Sequence, residues 1–374
     1  MNFTISSTAF CNRLQTLSKV LSTKNSIQIL DCILLDLQQN QLKLTASDGE
    51  VTLVSTIEVS ESSGFGKFAV NATQIISGLK EIAEQPVSIS INEATYAVEI
   101  KYQNGGSNFV GQSGEEYPTP RTVEFGAQTI TIDSGVLQNG IAKSLFATAD
   151  DELRPVMNGI FFDIAESSIT FVASDGHKLV KNRNLSVQNG IPTSFILPKK
   201  PAKLLKDILV KEGGDATVKF DSSYAEITAD NFTLSCRLIE GRYPNYNSVI
   251  PSDNPYKVTI DRQAFIGALR RVLVFASTST SLIKLRIANN TLVVSAQDID
   301  FSTSAEEKIM CEYEGTPMSI GFKGPFLIDI LNSIDSQDIV FELADPSRAG
   351  VILPVEHDDN EDLLMLLMPM MLND

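Results

Sequence analysis

The sequence predicts an α+β protein built from three copies of one domain, and three observations carry that reading. A strand–cap–helix phrase recurs as Phe3-Thr-Ile-Ser-Ser-Thr-Ala-Phe10, Ile130-Thr-Ile-Asp-Ser-Gly-Val-Leu137 and Val258-Thr-Ile-Asp-Arg-Gln-Ala-Phe265. Its spacing is regular, with Ile5, Ile132 and Ile260 at matching places. A strand ending in a polar turn also recurs, as Leu44-Thr-Ala-Ser-Asp48, Phe171-Val-Ala-Ser-Asp175 and, more loosely, Val294-Ser-Ala-Gln-Asp298. Self-similarity at a fixed period marks a repeat architecture.

Each element has a local reason. The opening phrase starts with β-branched residues that favour a strand, meets a Ser or Asp suited to capping, and continues with helical periodicity. Phe10, Leu14 and Leu17 match Phe265, Leu269 and Val272, while copy two offers Leu137 and Ile141 with Ser144 as a weaker third member. After the polar turn comes a further strand, such as Val51 to Val59. A second strand–helix unit follows: Phe68-Ala-Val70 leads to Leu79-Lys-Glu-Ile82, Phe195-Ile-Leu197 to Leu205-Lys-Asp-Ile208, and Ser319-Ile-Gly321 to Leu327-Ile-Asp-Ile330. Further strands begin at Val87, Thr217 and Ile339, and copies one and two both end in Tyr-Pro, at Tyr117-Pro118 and Tyr243-Pro244. Each copy therefore reads as two strand–helix–strand units with antiparallel hairpins. Boundaries are expected near Gly126 and near Ser252 to Asn254, giving domains 1–127, 128–253 and 254–374.

Bulk properties exclude several classes. No stretch reaches the roughly 18 apolar residues that a spanning helix needs, and the N-terminus lacks a secretory pattern. The run from Leu363 to Leu372 is apolar but short and interrupted by Pro369, which suits a buried strand or an anchored tail. Cys11, Cys32, Cys236 and Cys311 are scattered without paired spacing, so neither a zinc site nor a disulfide framework is indicated, and a reducing cytoplasm is expected. No cofactor and no metal are expected.

Catalytic motifs are scarce. There are two histidines, and no phosphate-binding glycine loop, dinucleotide fingerprint or nucleophile elbow. Ser174, Asp175 and His177 invite a hydrolase reading with an interdomain cleft around His177, but triad members converge from separate segments, and Asp-Gly is better explained as turn chemistry. Asp300 with Glu306 and Glu307, or the run Asp358 to Glu361, reads as solvated acid lacking the glycine spacing of a calcium loop. A repeat scaffold without nucleic acid is a third reading.

The net charge of −16 argues against nucleic acid as a sum, but its distribution argues otherwise. Lys199, Lys203 and Lys206 fall on one stripe of the second helix of copy two, opposite Leu204, Leu205, Ile208 and Leu209. Arg13, Lys80, Lys143, Arg270 and Arg271 also ride the expected helices, while acids gather in strands and loops. A basic helical lining inside an acidic exterior could hold DNA through its phosphates without reading sequence.

Together with Ser174-Asp-Gly-His-Lys-Leu179, Leu238-Ile-Glu-Gly-Arg-Tyr-Pro-Asn-Tyr246 and Met368-Pro-Met370, the repeats closely resemble the bacterial β sliding clamps over essentially the whole length. The resemblance implies the DNA-clamp fold, with helices lining a ring and antiparallel sheets outside. It further implies a head-to-tail homodimer encircling double-stranded DNA in the cytoplasm, free of any membrane. Such a ring catalyses nothing: it gives a replicative polymerase processivity, is opened by a clamp loader, and serves other polymerases and repair proteins. Partners dock through a short Gln-Leu-x-Leu-Phe-like motif. By resemblance the pocket for that motif comprises Met157, Ser174, Gly176, His177, Lys178, Leu179, Pro244, Val249, Leu366, Met368, Pro369 and Met370. The DNA-facing residues would be Lys24, Arg154, Lys199, Lys200, Lys203 and Lys206. Phe109 would meet Val274 and Phe275 across the dimer interface. Met371 stands where the family often has a basic residue, and Asn373-Asp374 extend past the usual end, at the mouth of the pocket.

Overall fold

The computed structural model describes residues 1–22, 27–121, 123, 127–187, 190–210 and 213–372; Gly126, Lys24 and the Asn373-Asp374 extension, singled out above, lie outside them. The recurring phrase folds the same way each time. Strand Asn2–Ser6 runs into α1 (Ser7–Ser18), and Ser6 caps it by accepting from the Ala9 N–H. The second unit of copy one is strand Gly66–Asn71 and α2 (Ala72–Lys80), capped by the Asn71 side chain. In copy two, strand Gln128–Asp133 precedes α3 (Ser134–Leu145), where Asp133 Oδ1 accepts from the N–H groups of Gly135 and Val136. Strand Thr193–Pro198 precedes α4 (Lys199–Leu209). In copy three, strand Tyr256–Asp261 leads to α5 (Arg262–Leu273), capped by Asp261 at the Ala264 N–H, and strand Met318–Lys323 leads to α6 (Gly324–Asn332). These caps satisfy N–H groups that a helix start leaves unpaired.

Almost everything else is antiparallel sheet. The chain divides into two compact units, Met1–Leu137 with Lys203–Leu238, and Gln138–Ala202 with Ile239–Asp374. Each unit holds one nine-stranded sheet and one smaller sheet. The units do not coincide with the copies, because each nine-stranded sheet draws strands from two consecutive copies. In the first unit, copy-one strand Val51–Glu58 pairs with copy-two strand Phe232–Arg237, with Leu53 opposite Leu234. In the second, copy-two strand Lys178–Asn184 pairs with copy-three strand Glu361–Leu367, with Val180 opposite Met365. The apolar run near the C-terminus is thus a central strand, with Met365 and Leu367 fully buried.

Both joints carry side-chain latches. In the first unit the Arg13 guanidinium lies over the Phe232 ring, 4.6 Å from its centroid, and Lys19 Nζ stands 2.8 Å from Asp207 Oδ2. In the second, Lys143 Nζ on α3 meets both Glu361 carboxylate oxygens at 3.0 and 2.9 Å, in a pair whose side chains are only 10% and 11% exposed. Asn139 and Asn182 each donate to Glu361 Oε1 at 2.9 Å. Removing Glu361 leaves Lys143 with the exposed Asp335 carboxylate at 3.4 Å and takes the acceptor from the Asn139 and Asn182 amides, which costs more than replacing both members of the buried pair. Glu361→Ala is therefore expected to lower unfolding stability by about 3 kcal/mol, whereas Lys143→Met combined with Glu361→Leu recovers most of it. Urea midpoints of the three proteins check this.

Candidate partner-binding site and basic surfaces

The turn Ser174–Leu179 is built by its own short polar side chains. Asp175 Oδ1 accepts from the N–H groups of His177 and Lys178 at 2.8 and 2.9 Å, while Ser174 Oγ donates to the Lys178 carbonyl and accepts from Gly176 N–H. Gly176 sits at φ +89°, where an L side chain is strained, and an added Cβ would stand 3.0 Å from Arg154 Nη1. Copy one folds its equivalent turn alike, with Asp48 Oδ1 accepting from Glu50 and Val51 N–H groups. Ser174, Asp175 and His177 are thus turn architecture. The Ser174 hydroxyl is committed to backbone, and the His177 side chain is 72% exposed.

The tail lies beside this turn. Pairing of Lys178–Asn184 with Glu361–Leu367 sets Leu179 opposite Leu366, and Met368 N–H extends the ladder to the His177 carbonyl at 2.8 Å. Met370 N–H then bonds the Gly321 carbonyl, stitching Met368-Pro-Met370 to strand Met318–Lys323. Leu179, Leu366 and Ala349 form a small buried cluster against Tyr246, Ile250 and Leu364. Tyr246 anchors the Tyr-Pro corner by donating to Asp163 Oδ2 at 2.7 Å, and Tyr243 stacks on Phe161. Pro244 and Val249 flank these tyrosines and are exposed. Met157 is buried, and its carbonyl accepts from Ala149 N–H. The structure therefore joins the turn, tail and corner through shared neighbours. Met368 is half-exposed and Met371 largely so, leaving flexible thioethers at the surface.

Two features of this region were not read from the sequence. Phe326 on α6 presents its ring to two ammonium groups, Lys178 Nζ at 4.0 Å and Lys323 Nζ at 4.7 Å, and lies 6.3 Å from the His177 ring. An aromatic residue in an otherwise aliphatic helix start was the available signal. Arg154 turns toward the same turn, with Nε 2.8 Å from Asp151 Oδ2 and Nη2 3.3 Å from the Asp175 carbonyl. Lys199 pairs with Asp150 at 2.6 Å. Both loop acids thus lie on cations placed among the DNA-facing residues, and the charges surround a hollow of about 420 Å³. On α4 Lys203 is exposed and Lys206 half-buried, opposite buried Leu204, Leu205, Ile208 and Leu209, while Lys200 is exposed. Phe109 is half-buried on strand Gly105–Val110; Val274 and Phe275, just past α5, are exposed. Among the described residues no cluster of His, Cys, Asp or Glu could hold a metal ion, and no helix is long and apolar enough to cross a membrane.

A tripled α+β repeat joined through shared sheets, with the tail held against the Asp-Gly turn, defines a clamp scaffold. Comparison with known proteins makes that class specific. The models of the DNA polymerase III beta subunit match in chain order: the N-terminal domain at residues 1–121, the central domain at 131–245 and the C-terminal domain at 247–371. The beta sliding clamp of Pseudomonas aeruginosa is 27% identical over 380 residues, covering 100% of both chains, and that of Staphylococcus epidermidis is 26% identical over 373, covering 98% of each. The crystal structure of the P. aeruginosa clamp bound to griselimycin superposes with TM-score 0.93 at 24% identity, and that of the Thermotoga maritima beta subunit with 0.90 at 24%, each covering 100% of both chains. The chain belongs to the DNA polymerase III beta subunit family, the sliding clamps, whose members are processivity factors and not enzymes.

Asp175 sets the pH behaviour of the turn. Burial pushes its pKa up, but the Lys178 ammonium and the Lys178 and His177 N–H groups outweigh that and hold it below the ordinary value. A depressed folded-state pKa contributes stability that is present above the unfolded pKa of about 3.9 and lost as pH falls through the folded one. Asp175→Asn keeps the backbone acceptor and loses the ion pair. Its urea midpoint is expected to lie below wild type at neutral pH and to converge on it in acid.

Proposed function

We propose that two copies of this chain close head to tail into a ring around double-stranded DNA, and that the ring tethers the replicative polymerase through the turn–tail site. One observation carries the reading: the joint strands come in threes, and one pair lacks its partner. Walking across each ladder from Phe3, Ile130 and Val258 reaches Ser107, Leu234 and Met365 by way of Ile89, Val218 and Phe341, then Ile100, Ile227 and Ile352. From the other side, Ala46, Ala173 and Ala296 face Leu53, Val180 and Ala305. Leu53 faces Leu234 and Val180 faces Met365 within the chain. The remaining strands, Gly105–Val110 and Thr303–Met310, are both sheet edges. Their bare N–H and C=O groups are a template for pairing. Applying the same register sets Ala305 opposite Ser107 of the partner subunit and Thr303 opposite Phe109 of the partner subunit. Thr303 Oγ1 already donates to the Phe275 carbonyl, which brings Val274 and Phe275 toward that interface. A heterologous contact of this kind closes a ring when the rotation allows.

Within this reading the domains are 1–127, 128–253 and 254–374. Lys199, Lys200, Lys203 and Lys206 face DNA phosphates, joined by Lys24. Arg154 supports the partner site and reaches DNA only if Asp151 releases it. Met157, the Ser174–Leu179 turn, Pro244, Val249, Leu366 and Met368-Pro-Met370 accept the Gln-Leu-x-Leu-Phe-like motif used by polymerases, the clamp loader and repair proteins. Methionine side chains suit one socket serving many leucine and phenylalanine anchors. The ring works in the cytoplasm, where buried thiols such as Cys11, Cys32, Cys236 and Cys311 stay reduced.

Loaded onto closed circular DNA, the protein is expected to remain bound through gel filtration and to leave promptly once the circle is cut; equal retention on linear DNA would refute encirclement. Deleting residues 368–374 is expected to weaken motif-peptide binding by at least about tenfold, the size of a lost hot spot, measured by fluorescence anisotropy. Unchanged affinity would move the socket elsewhere.

A further inference from the structure

We propose that copy three holds a seat for a tyrosine that its own residues do not supply, and that a partner protein fills it with a segment carrying a basic residue, a tyrosine and a proline. The Tyr-Pro corners that close copies one and two define the seat. Tyr117 is buried in a small cluster with Cys32 and Ala69, against Ile29 and Leu34. Its hydroxyl accepts from the Ser47 N–H and donates to the Cys32 carbonyl, both at 3.1 Å. It stands where those two groups would make the next rung, since the ladder of strands Cys32–Gln38 and Gln41–Ser47 begins at Leu34 opposite Thr45. Tyr243 takes the same place in copy two, stacked on Phe161 at 4.7 Å in a cluster with Val172 and Ile196. There the ladder of strands Gly159–Ala165 and Ser168–Ser174 begins at Phe161 opposite Val172.

Copy three repeats the frame without the ring. The ladder of strands Leu282–Ala288 and Thr291–Asp298 begins at Lys284 opposite Ser295, the register positions of Phe161 and Val172. Ile283, Leu285, Val294 and Ala296 belong to the core, so Lys284 and Ser295 point to the other face of the sheet. Leu282 turns its N–H to Thr280 Oγ1, and the Gln297 N–H and Leu282 carbonyl stand where Tyr117 bridges Ser47 and Cys32 in copy one. A tyrosine laid there joins the same two backbone groups. The tail starts such a corner, because Met370 N–H bonds the Gly321 carbonyl as Ile239 N–H bonds that of Ile196. However, residues 371–374 are Met-Leu-Asn-Asp and hold no ring. Beside Leu372 lies a hollow of about 840 Å³, walled by Leu282, Lys284, Ser295, Gln297 and Glu306. Its rim carries the exposed carboxylates of Asp300 and Glu306 against the half-buried Lys284, an acidic excess that a basic neighbour of the tyrosine matches. In copies one and two the adjacent joint strand is paired with the ring in place, so pairing of Thr303–Met310 does not fill the seat. Leu372 is two residues beyond Met370, which puts the hollow within reach of a partner held at the turn–tail site. Who brings the segment rests on that reading; the seat itself does not.

Short peptides test the seat without the docking motif. Gly-Arg-Tyr-Pro copies residues 241–244, the corner of copy two. Added in millimolar excess to the full chain with labelled isoleucine, leucine and methionine methyl groups, it is expected to shift the resonances of Leu282, Ile299 and Leu372. Gly-Arg-Phe-Pro, without the bridging hydroxyl, should bind about two- to tenfold more weakly, the net contribution of one hydrogen bond. Gly-Arg-Ala-Pro should leave these methyls unmoved. Asp300→Asn with Glu306→Gln should weaken Gly-Arg-Tyr-Pro and spare Gly-Gln-Tyr-Pro. Lys284→Phe with Ser295→Val rebuilds the floor of copy two and should tighten the tyrosine peptide by about two- to tenfold, the scale of an aromatic pair. No shift at the three methyls, equal binding of the tyrosine and alanine peptides, or binding to the rebuilt floor alone would each overturn the inference. A motif peptide is read separately at the Met368 methyl. Its silence there would remove the turn–tail reading and leave the seat standing.

Discussion

Strand edges cannot be left bare at little cost, and the architecture follows from that constraint. An unpaired row of N–H and C=O groups invites another chain, and each copy of this repeat presents such a row on each of its two joint strands. Val51–Glu58 is covered by Phe232–Arg237, and Lys178–Asn184 by Glu361–Leu367. The copies consequently lose their independence. Cores form around shared sheets, so that Ala173 and Val180 of copy two sit in the same buried cluster as Phe265, Phe341 and Met365 of copy three. Among the described residues the joint strands Gly105–Val110 and Thr303–Met310 have no such cover within one chain.

The proposed docking site is a by-product of the same ladder. Because Glu361–Leu367 completes the sheet against Lys178–Asn184, the chain leaves that sheet beside the Asp-Gly turn, and Met368 makes the final rung to the His177 carbonyl. Turn and tail are therefore held by backbone geometry, while the surface they offer is soft methionine, proline and exposed histidine. Rigid placement with adaptable chemistry is what a shared socket for several partners needs.

Much of this was legible because the signals are local. Ser6, Asp133 and Asp261 announce helix starts within three residues of the N–H groups they cap. The Ser-Asp turns likewise close on themselves, and repetition multiplied each weak signal by three. What escaped reading depends on residues far apart in the chain. Nothing near Lys143 in sequence indicates that Glu361 will bury against it, so it read as one more basic helix residue. Arg154 was placed at the DNA by resemblance, and its bonds to Asp151 and to the Asp175 carbonyl join residues that the sequence alone does not bring together. Phe326 was not singled out, because Lys178, one of the two ammonium groups over its ring, lies far from it in sequence. That Thr303–Met310 lies at an edge is a property of the whole sheet.

The mismatch between copies and compact units has a practical side. The sequence invites dissection at its repeat borders, and each such fragment would keep its cap, its helices and its hairpins. Yet a cut near residue 127 would strip Val51–Glu58 of the strand that covers it, and one near 253 would do the same to Lys178–Asn184. Excised repeats would carry long apolar edges into solution and would pair with one another in whatever order they met. For this molecule the smallest piece that can be handled by itself is set by where its sheets end and not by where its repeats begin.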